Sequence, residues 1–120
     1  MKINNKNLLN DFYKHDKLNV LVLTDIFFPS FGGVCFVVDN LCKGLIETNK
    51  ANVVLVTGYV SGYKDKEDYA IIRTKSLKIP KKFGDSLPLP ELDFKLKKLI
   101  KELKIDVIHI HTGFLYVNLA

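Results

Sequence analysis

The 120 residues suffice for one domain, and their 48% apolar and 26% charged content is ordinary for a globular chain. No run approaches the ~18 apolar residues of a membrane-spanning helix, and the polar N-terminus lacks the apolar stretch of a secretory signal. We therefore expect a cytoplasmic protein. Residues 61–120 carry +4 of the net charge of +5. This excess would suit an anionic membrane, nucleic acid or a phosphorylated substrate, but a lysine-rich surface explains it as well, and we expect no nucleic-acid partner.

The first half of the chain predicts a strand–helix–strand unit. Residues 1–17 are polar and are interpreted as a leader with at most one helical turn, so the predicted domain covers 18–120. The apolar run 19–24 predicts a buried strand, and a loop with proline and glycines follows at 25–33. From Val34 the apolar residues recur at helical spacing, and a second buried strand is expected at 53–57. Such a short unit favours parallel strands joined by a right-handed crossover.

The second half continues the alternation of strands and helices. We expect a loop at 58–68, a strand at 69–74, an irregular proline-containing segment at 75–90, a helix at 91–104 and a strand at 106–110. In the helix, Phe94 and four aliphatic residues are expected to face inward, with lysines outward. The apolar residues 114–120 predict the start of another helix. The fold class is therefore α/β, a doubly wound parallel (Rossmann-like) sheet, and it is incomplete because such sheets usually exceed four strands.

Two cysteines lie seven residues apart in the first predicted helix. Their positions, Cys35 and Cys42, return to the same helix face about 10.5 Å along the axis. A disulfide requires α-carbons closer than about 7 Å. We expect two buried, reduced thiols.

A pair of glycines precedes the first predicted helix. Gly32 and Gly33 would let an anionic group approach the free N–H groups and partial positive charge of the helix N-terminus. A tight turn is the alternative explanation. The spacing fits neither the dinucleotide-binding nor the P-loop glycine pattern.

Two histidines close the last predicted strand. His109 and His111 would project to one face of an extended chain. A metal site needs further ligands; the third histidine, His15, lies in the leader, and no spacing supports a contribution from Asp25, so we expect no metal. The position at a strand end favours contact between His111 and a substrate hydroxyl or phosphate, whereas His109 is expected to pack in the core.

Residues 19–34 and 106–114, with 73–76 and the proline-containing segment between them, resemble the N-terminal, acceptor-side lobe of retaining glycosyltransferases of family four. These enzymes have two Rossmann-like lobes (GT-B type). The resemblance implies that Gly32 and Gly33 lie against the donor's diphosphate and that His111 lies by the transferred sugar as the catalytic-site residue. The remaining substrate-binding positions that it implies are Phe31, Val34, Thr112 and Gly113.

The same resemblance implies hexosyl transfer with retention, from a UDP- or GDP-sugar to an acceptor glycan or lipid, without a cofactor or metal. The donor-binding C-terminal lobe is missing from the 120 residues, so the chain alone is expected to be inactive. The alternative is a non-catalytic fragment or a subunit that pairs with a separate donor-binding chain. A response-regulator type of domain is disfavoured because Asp25 stands alone where an acidic cluster would be expected.

Peripheral membrane contact is a further expectation. The lysine-flanked helix at 91–104 has the pattern of a helix on a membrane surface, although a solvated lysine face explains it more simply. The aromatic loop residues Phe27, Phe28 and Phe31 would suit a lipid-linked acceptor.

Overall fold

The structure is a computed structural model that describes residues 1–30, 32–80 and 86–111. Within these residues the strands are β1 (Lys2–Asn4), β2 (Leu18–Leu23), β3 (Ala51–Gly58), β4 (Ala70–Thr74), β5 (Ser76–Lys78), β6 (Ser86–Pro88) and β7 (Val107–Ile110). The α-helices are α1 (Asn10–Lys14), α2 (Gly33–Glu47) and α3 (Phe94–Glu102), with 3-10 helices at Lys6–Leu9 and Pro90–Leu92. None of the helices in this part of the chain is long and apolar enough to cross a membrane.

A five-stranded sheet forms the centre of the fold, in the order β1-β4-β3-β2-β7. The strands β4, β3, β2 and β7 are parallel, and β1 pairs with β4 antiparallel. The parallel strands thus follow the chain order three-two-one-four, which is the arrangement of a Rossmann-like sheet. The predicted α/β class is confirmed. The strand order reverses between β2 and β7, so the topological switch point lies there.

The strand β2 is apolar at every position from 20 to 23, and consecutive side chains of a strand point to opposite faces. Both faces of the sheet are therefore apolar here, and helices cover both. Val20 and Val22 pack with Val38 and Cys42 of α2. Leu21 and Leu23 pack on the opposite face with Phe12 of α1, with Leu96 of α3 and with Leu103 just after that helix. Both cysteines are buried free thiols, as predicted, and burial raises the pKa of Cys42 to about 12.

Residues 1–17 are part of the fold rather than a polar leader. Lys2–Asn4 extends the sheet by pairing with β4, and Leu9 and Phe12 are buried in the core. The expected helical turn is present as the 3-10 helix and α1. The strand escaped prediction because three residues with one apolar side chain carry no local pattern.

The buried side-chain amide of Asn19, near the start of β2, forms hydrogen bonds with several neighbouring elements. Asn19 donates through Nδ2 to the carbonyls of Phe12, Leu103 and Lys104 at 2.9, 3.2 and 3.0 Å. Its Oδ1 accepts from Asn52 of β3 at 2.9 Å. One side chain therefore joins β2 to α1, to the end of α3 and to β3.

The segment 75–90 contains a hairpin where we expected no regular structure. Its strands β5 and β6 pair antiparallel, with Leu77 opposite Leu87. The following helix also differs from prediction, because it begins at Phe94 instead of residue 91 and leaves Phe94 76% exposed. The pairing of β5 with β6 depends on residues eight to twelve apart and gives no periodic signal.

Asp93 fixes the start of α3. Its Oδ1 accepts from the Leu96 N–H at 3.1 Å, and its Oδ2 accepts from the Thr74 hydroxyl at 2.8 Å and the Lys75 N–H at 3.2 Å. Burial opposes ionisation, but these hydrogen bonds outweigh it and lower the pKa of Asp93. The helix N-cap is thereby tied to the carboxyl end of β4.

Candidate functional site

The two loops singled out by the sequence meet at the switch point of the sheet. The loop after β2 runs from Thr24 to the start of α2, and His111 follows β7. The His111 N–H donates to the carbonyl of Leu23 at 2.9 Å, so the two strand ends are adjacent. Ligands of open α/β sheets bind in the crevice at such a position.

The first turn of α2 forms one wall of this candidate site. Gly32 occupies the N-cap position with φ of +144°, a conformation that side-chain-bearing residues rarely adopt. Among the described residues, no side chain caps the helix, and its first turn contains no acidic residue. A Cβ placed on Gly33 would meet no atom of this part of the chain within 4 Å. The helix N-terminus is thus open and suited to an anion.

Aromatic side chains pack together in the loop between β2 and α2, which we call the glycine loop. Phe27 is buried and its ring centroid lies 4.9 Å from that of Phe28, which in turn meets Phe36 edge-on at 5.3 Å. Val34 is half-buried and packs against the α2-side core, so only part of this side chain can shape the cleft. Phe31 lies outside the described residues.

Arg73 is a residue whose role the sequence analysis missed. It is buried at the end of β4, pairs with Asp65 at 2.6 Å, and donates to the carbonyl of Gly58 at 2.9 Å. It also donates to the carbonyl of Phe28 in the glycine loop. An arginine inside an apolar strand is the available signal, because a buried guanidinium is almost always paired. Arg73 therefore positions the loop without reaching the cleft.

The histidines form the other wall. His109 Nε2 lies 3.3 Å from His111 Nδ1, and the ring centroids are 5.6 Å apart, which confirms that both project to one face. The register of His109 with Val22 places that face on the α2 side. His111 is half-buried, whereas His109 is exposed. The expected packing role of His109 is wrong because β7 is an edge strand of the described sheet and leaves this side chain uncovered.

His15 lies at the opposite end of the sheet. Its Nε2 is 2.9 Å from Asp106, just before β7. A hydrogen bond from the Asn19 N–H and the contact with His15 lower the pKa of Asp106. Among the described residues, no three His, Cys, Asp or Glu side chains gather as metal ligands.

Asp25 brings an unsatisfied acceptor to the end of β2. Its Oδ1 is buried and has no hydrogen-bond partner in the described part of the chain. A buried acceptor without a donor is unfavourable by about 1–3 kcal/mol. Thr112 and Gly113, predicted beside His111, lie outside the described residues, as does the apolar stretch 114–120.

Comparison with known proteins finds one matching family model and one similar protein. The family model described as Glycosyltransferase Family 4 matches residues 31–120. The alpha-monoglucosyldiacylglycerol synthase of Acholeplasma laidlawii is 30% identical over 97 residues, which cover 81% of this chain and 24% of the relative. The chain thus aligns with about a quarter of that protein. No solved structure gives a significant match.

Proposed function

The chain belongs to glycosyltransferase family 4, and on that premise we propose that its parent protein transfers a hexosyl group from a UDP- or GDP-sugar to an acceptor hydroxyl with retention. The observation that supports the proposal is the uncapped first turn of α2 at Gly33, at the end of the loop that leaves β2 where the His111 N–H donates to the Leu23 carbonyl. The diphosphate leaving group would lie against the first turn of α2, and the transferred sugar would lie beside His111. The parent enzyme would be built of two Rossmann-like lobes, of which this chain supplies the acceptor-side one.

The chemistry asked of this lobe is electrostatic. Departure of a nucleoside diphosphate develops negative charge, and the N–H groups and dipole of α2 would stabilise it at Gly32 and Gly33. His111 would lie by the transferred sugar, with Phe31, Val34, Thr112 and Gly113 as further substrate contacts. The proposal requires neither a cofactor nor a metal ion in this lobe.

A lipid hydroxyl is the acceptor that we favour over a glycan. The relative from Acholeplasma laidlawii is named for a monoglucosyl diacylglycerol, which is a glycolipid. A cytoplasmic location accords with the supply of nucleotide sugars that the reaction needs.

The donor-binding lobe would have to come from outside these 120 residues, since the alignment covers 24% of the relative. Residues 1–120 alone should then show no sugar transfer. The alternative function is a non-catalytic subunit that pairs with a separate donor-binding chain. Transfer by a single full-length polypeptide would exclude that alternative.

The test is a screen of UDP- and GDP-sugars with the full-length protein and its His111→Ala variant. We expect kcat/KM to fall by about a hundredfold in the variant, as for loss of a group that contacts the reacting centre. His15→Ala serves as the matched control because His15 lies at the far end of the sheet. Unchanged turnover in His111→Ala would remove this residue from the site, and an absence of transfer from every donor would contradict the proposed function.

A further inference from the structure

The orientation of the His111 ring is not fixed by the backbone or by burial alone. The His111 N–H donates to the Leu23 carbonyl at 2.9 Å, which sets the backbone position. The side chain, however, is only half-buried. The second torsion angle of a histidine has broad, roughly two-fold preferences, so the ring has two orientations that exchange nitrogen and carbon positions. A specific contact with one ring nitrogen would select between them.

The neighbouring histidine on the same strand makes such a contact. Nε2 of His109 lies 3.3 Å from Nδ1 of His111. In the described part of the chain, neither imidazole forms another side-chain hydrogen bond. Nε2 of His111 is therefore the ring nitrogen left for a ligand. Because it points away from His109, it points along β7 toward the carboxyl edge of the sheet, where ligands of open α/β sheets bind.

The direction of this hydrogen bond follows from the chemistry of neutral imidazole. Each neutral ring has one N–H and one lone pair, so one of the two facing nitrogens donates and the other accepts. If the Nε2–H of His109 donates, both rings carry their proton on Nε2, which is the tautomer that free histidine favours. If the Nδ1–H of His111 donated, both rings would be in the less favoured form. The first arrangement is therefore the more stable one.

We propose that His109 is a positioning residue, which donates to Nδ1 of His111 and thereby presents the His111 Nε2–H to an oxygen of the bound sugar nucleotide. An N–H donor at this place suits the negative charge that develops as the diphosphate departs. A metal ion is the competing use of two such histidines, but the described residues provide no third ligand. The contact of His111 with substrate rests on the proposed function, whereas its tautomer is a property of the protein without substrate.

The first experiment measures the tautomer. The full-length protein is labelled with ¹⁵N in its histidine rings, and NMR at mildly alkaline pH distinguishes protonated from unprotonated ring nitrogens. The two rings are assigned from the variants His109→Gln and His111→Gln. We expect His111 to carry its proton on Nε2. His109→Glu, whose carboxylate only accepts hydrogen bonds, should instead place a proton on Nδ1 of His111. A proton on Nδ1 in the unaltered protein, or no change in His109→Glu, would overturn the proposal.

The second experiment measures kcat/KM with a donor that supports transfer. His109→Ala should lower it about fivefold, the scale of one neutral hydrogen bond. His109→Gln should restore most of the loss, because the glutamine amide can donate from nearly the same position as Nε2 of histidine. In the His111→Ala background, His109→Ala should cause no further loss, since it acts through His111. Additive losses in the double variant, or no rescue by His109→Gln, would contradict the positioning role.

The matched control is Val107→Ala. Val107 is exposed and lies two residues before His109, on the same strand and the same face, where it does not reach His111. This variant should keep full activity, and a fivefold loss in it would show that any change in β7 has the same effect. Thermal unfolding checks that each variant is folded. If no donor supports transfer, the proposed function fails, and the NMR measurement alone still decides whether His109 sets the tautomer of His111.

Discussion

At the scale of single residues, the two adjacent glycines of the candidate site differ in what the backbone requires of them. Gly32 has φ of +144°, so any side chain there strains the backbone. Gly33 has ordinary helical backbone geometry, and a Cβ at that position would meet no atom of the residues that the structure describes within 4 Å. The fold therefore does not require glycine at position 33. If ligand binding requires glycine at this position, replacing Gly33 will lower enzymatic activity without lowering the stability of the fold.

The variant Gly33→Ala tests that distinction. We expect the melting temperature of the full-length protein to stay the same or rise, while kcat/KM falls by about tenfold because the methyl group holds the diphosphate away from the helix N-terminus. Gly44→Ala is the control, since Gly44 lies in the same helix with open space at its Cβ. It should stabilise by about 0.5–1 kcal/mol and leave activity unchanged. Full activity in Gly33→Ala would place the diphosphate elsewhere.

At the same scale, a general rule that places ligands at the switch point of an α/β sheet led from the sequence to Gly32, Gly33 and His111. The structure shows that the loop leading to Gly32 leaves β2 beside the end of β7, and the role of these three residues in a site stays a prediction. Sequence reasoning did not find Arg73. An arginine within an apolar strand signals a paired guanidinium, but the contact of Arg73 with the carbonyl of Phe28 joins residues 45 positions apart, so nothing local identifies this partner. Whether Phe31, Thr112 and Gly113 belong to the site stays a prediction.

At the scale of elements, the N-cap of α3 depends on an ionised carboxylate. We expect Asp93→Asn to destabilise the protein by about 1–2 kcal/mol at neutral pH, because the amide cannot accept all three hydrogen bonds that Asp93 accepts. Since the pKa of Asp93 is lowered in the folded state, its contribution is complete above the unfolded pKa of about 3.9 and is lost as the pH falls through the folded pKa.

Urea unfolding of both proteins at pH 7 and near pH 3 provides the measurement. The difference in unfolding free energy between the unaltered protein and Asp93→Asn should shrink at the lower pH. A difference that stays constant would show that the charge of Asp93 contributes nothing. Lys95→Gln, an exposed change in the same helix, controls for general charge effects.

The elements that the sequence predicted well are those with a run of apolar residues or with apolar residues at helical spacing. The strands β2, β3, β4 and β7 and the helix α2 each gave buried runs or helical spacing, and each is present. The strands β1, β5 and β6 have three residues each, too few to show alternation. The inward orientation expected for Phe94 was wrong, since α3 starts at this residue and leaves it 76% exposed.

At the scale of the whole molecule, Asn19 is the point at which separate parts of the chain are joined. Asn19→Ala should destabilise by about 2–4 kcal/mol, because three carbonyls lose a donor in a site without access to water. Asn52→Ala is the matched control; it removes one bond to Asn19 and a weaker one to Asp11 at 3.3 Å. Chemical denaturation should show a clearly smaller loss for the control, and equal losses would contradict the central role of Asn19.

The strand order also constrains how this chain acquires its structure. The strand β2 pairs on one side with β3, which follows soon after in sequence. Its other partner, β7, lies 87 residues downstream, since Val20 pairs with Val107. Because a ribosome delivers the chain from its N-terminus at about 5–20 residues per second, one edge of β2 waits for seconds without a partner. The apolar strands of this lobe are therefore most open to chaperones, or to mispairing with a neighbouring chain, until the residues around His111 have been synthesised.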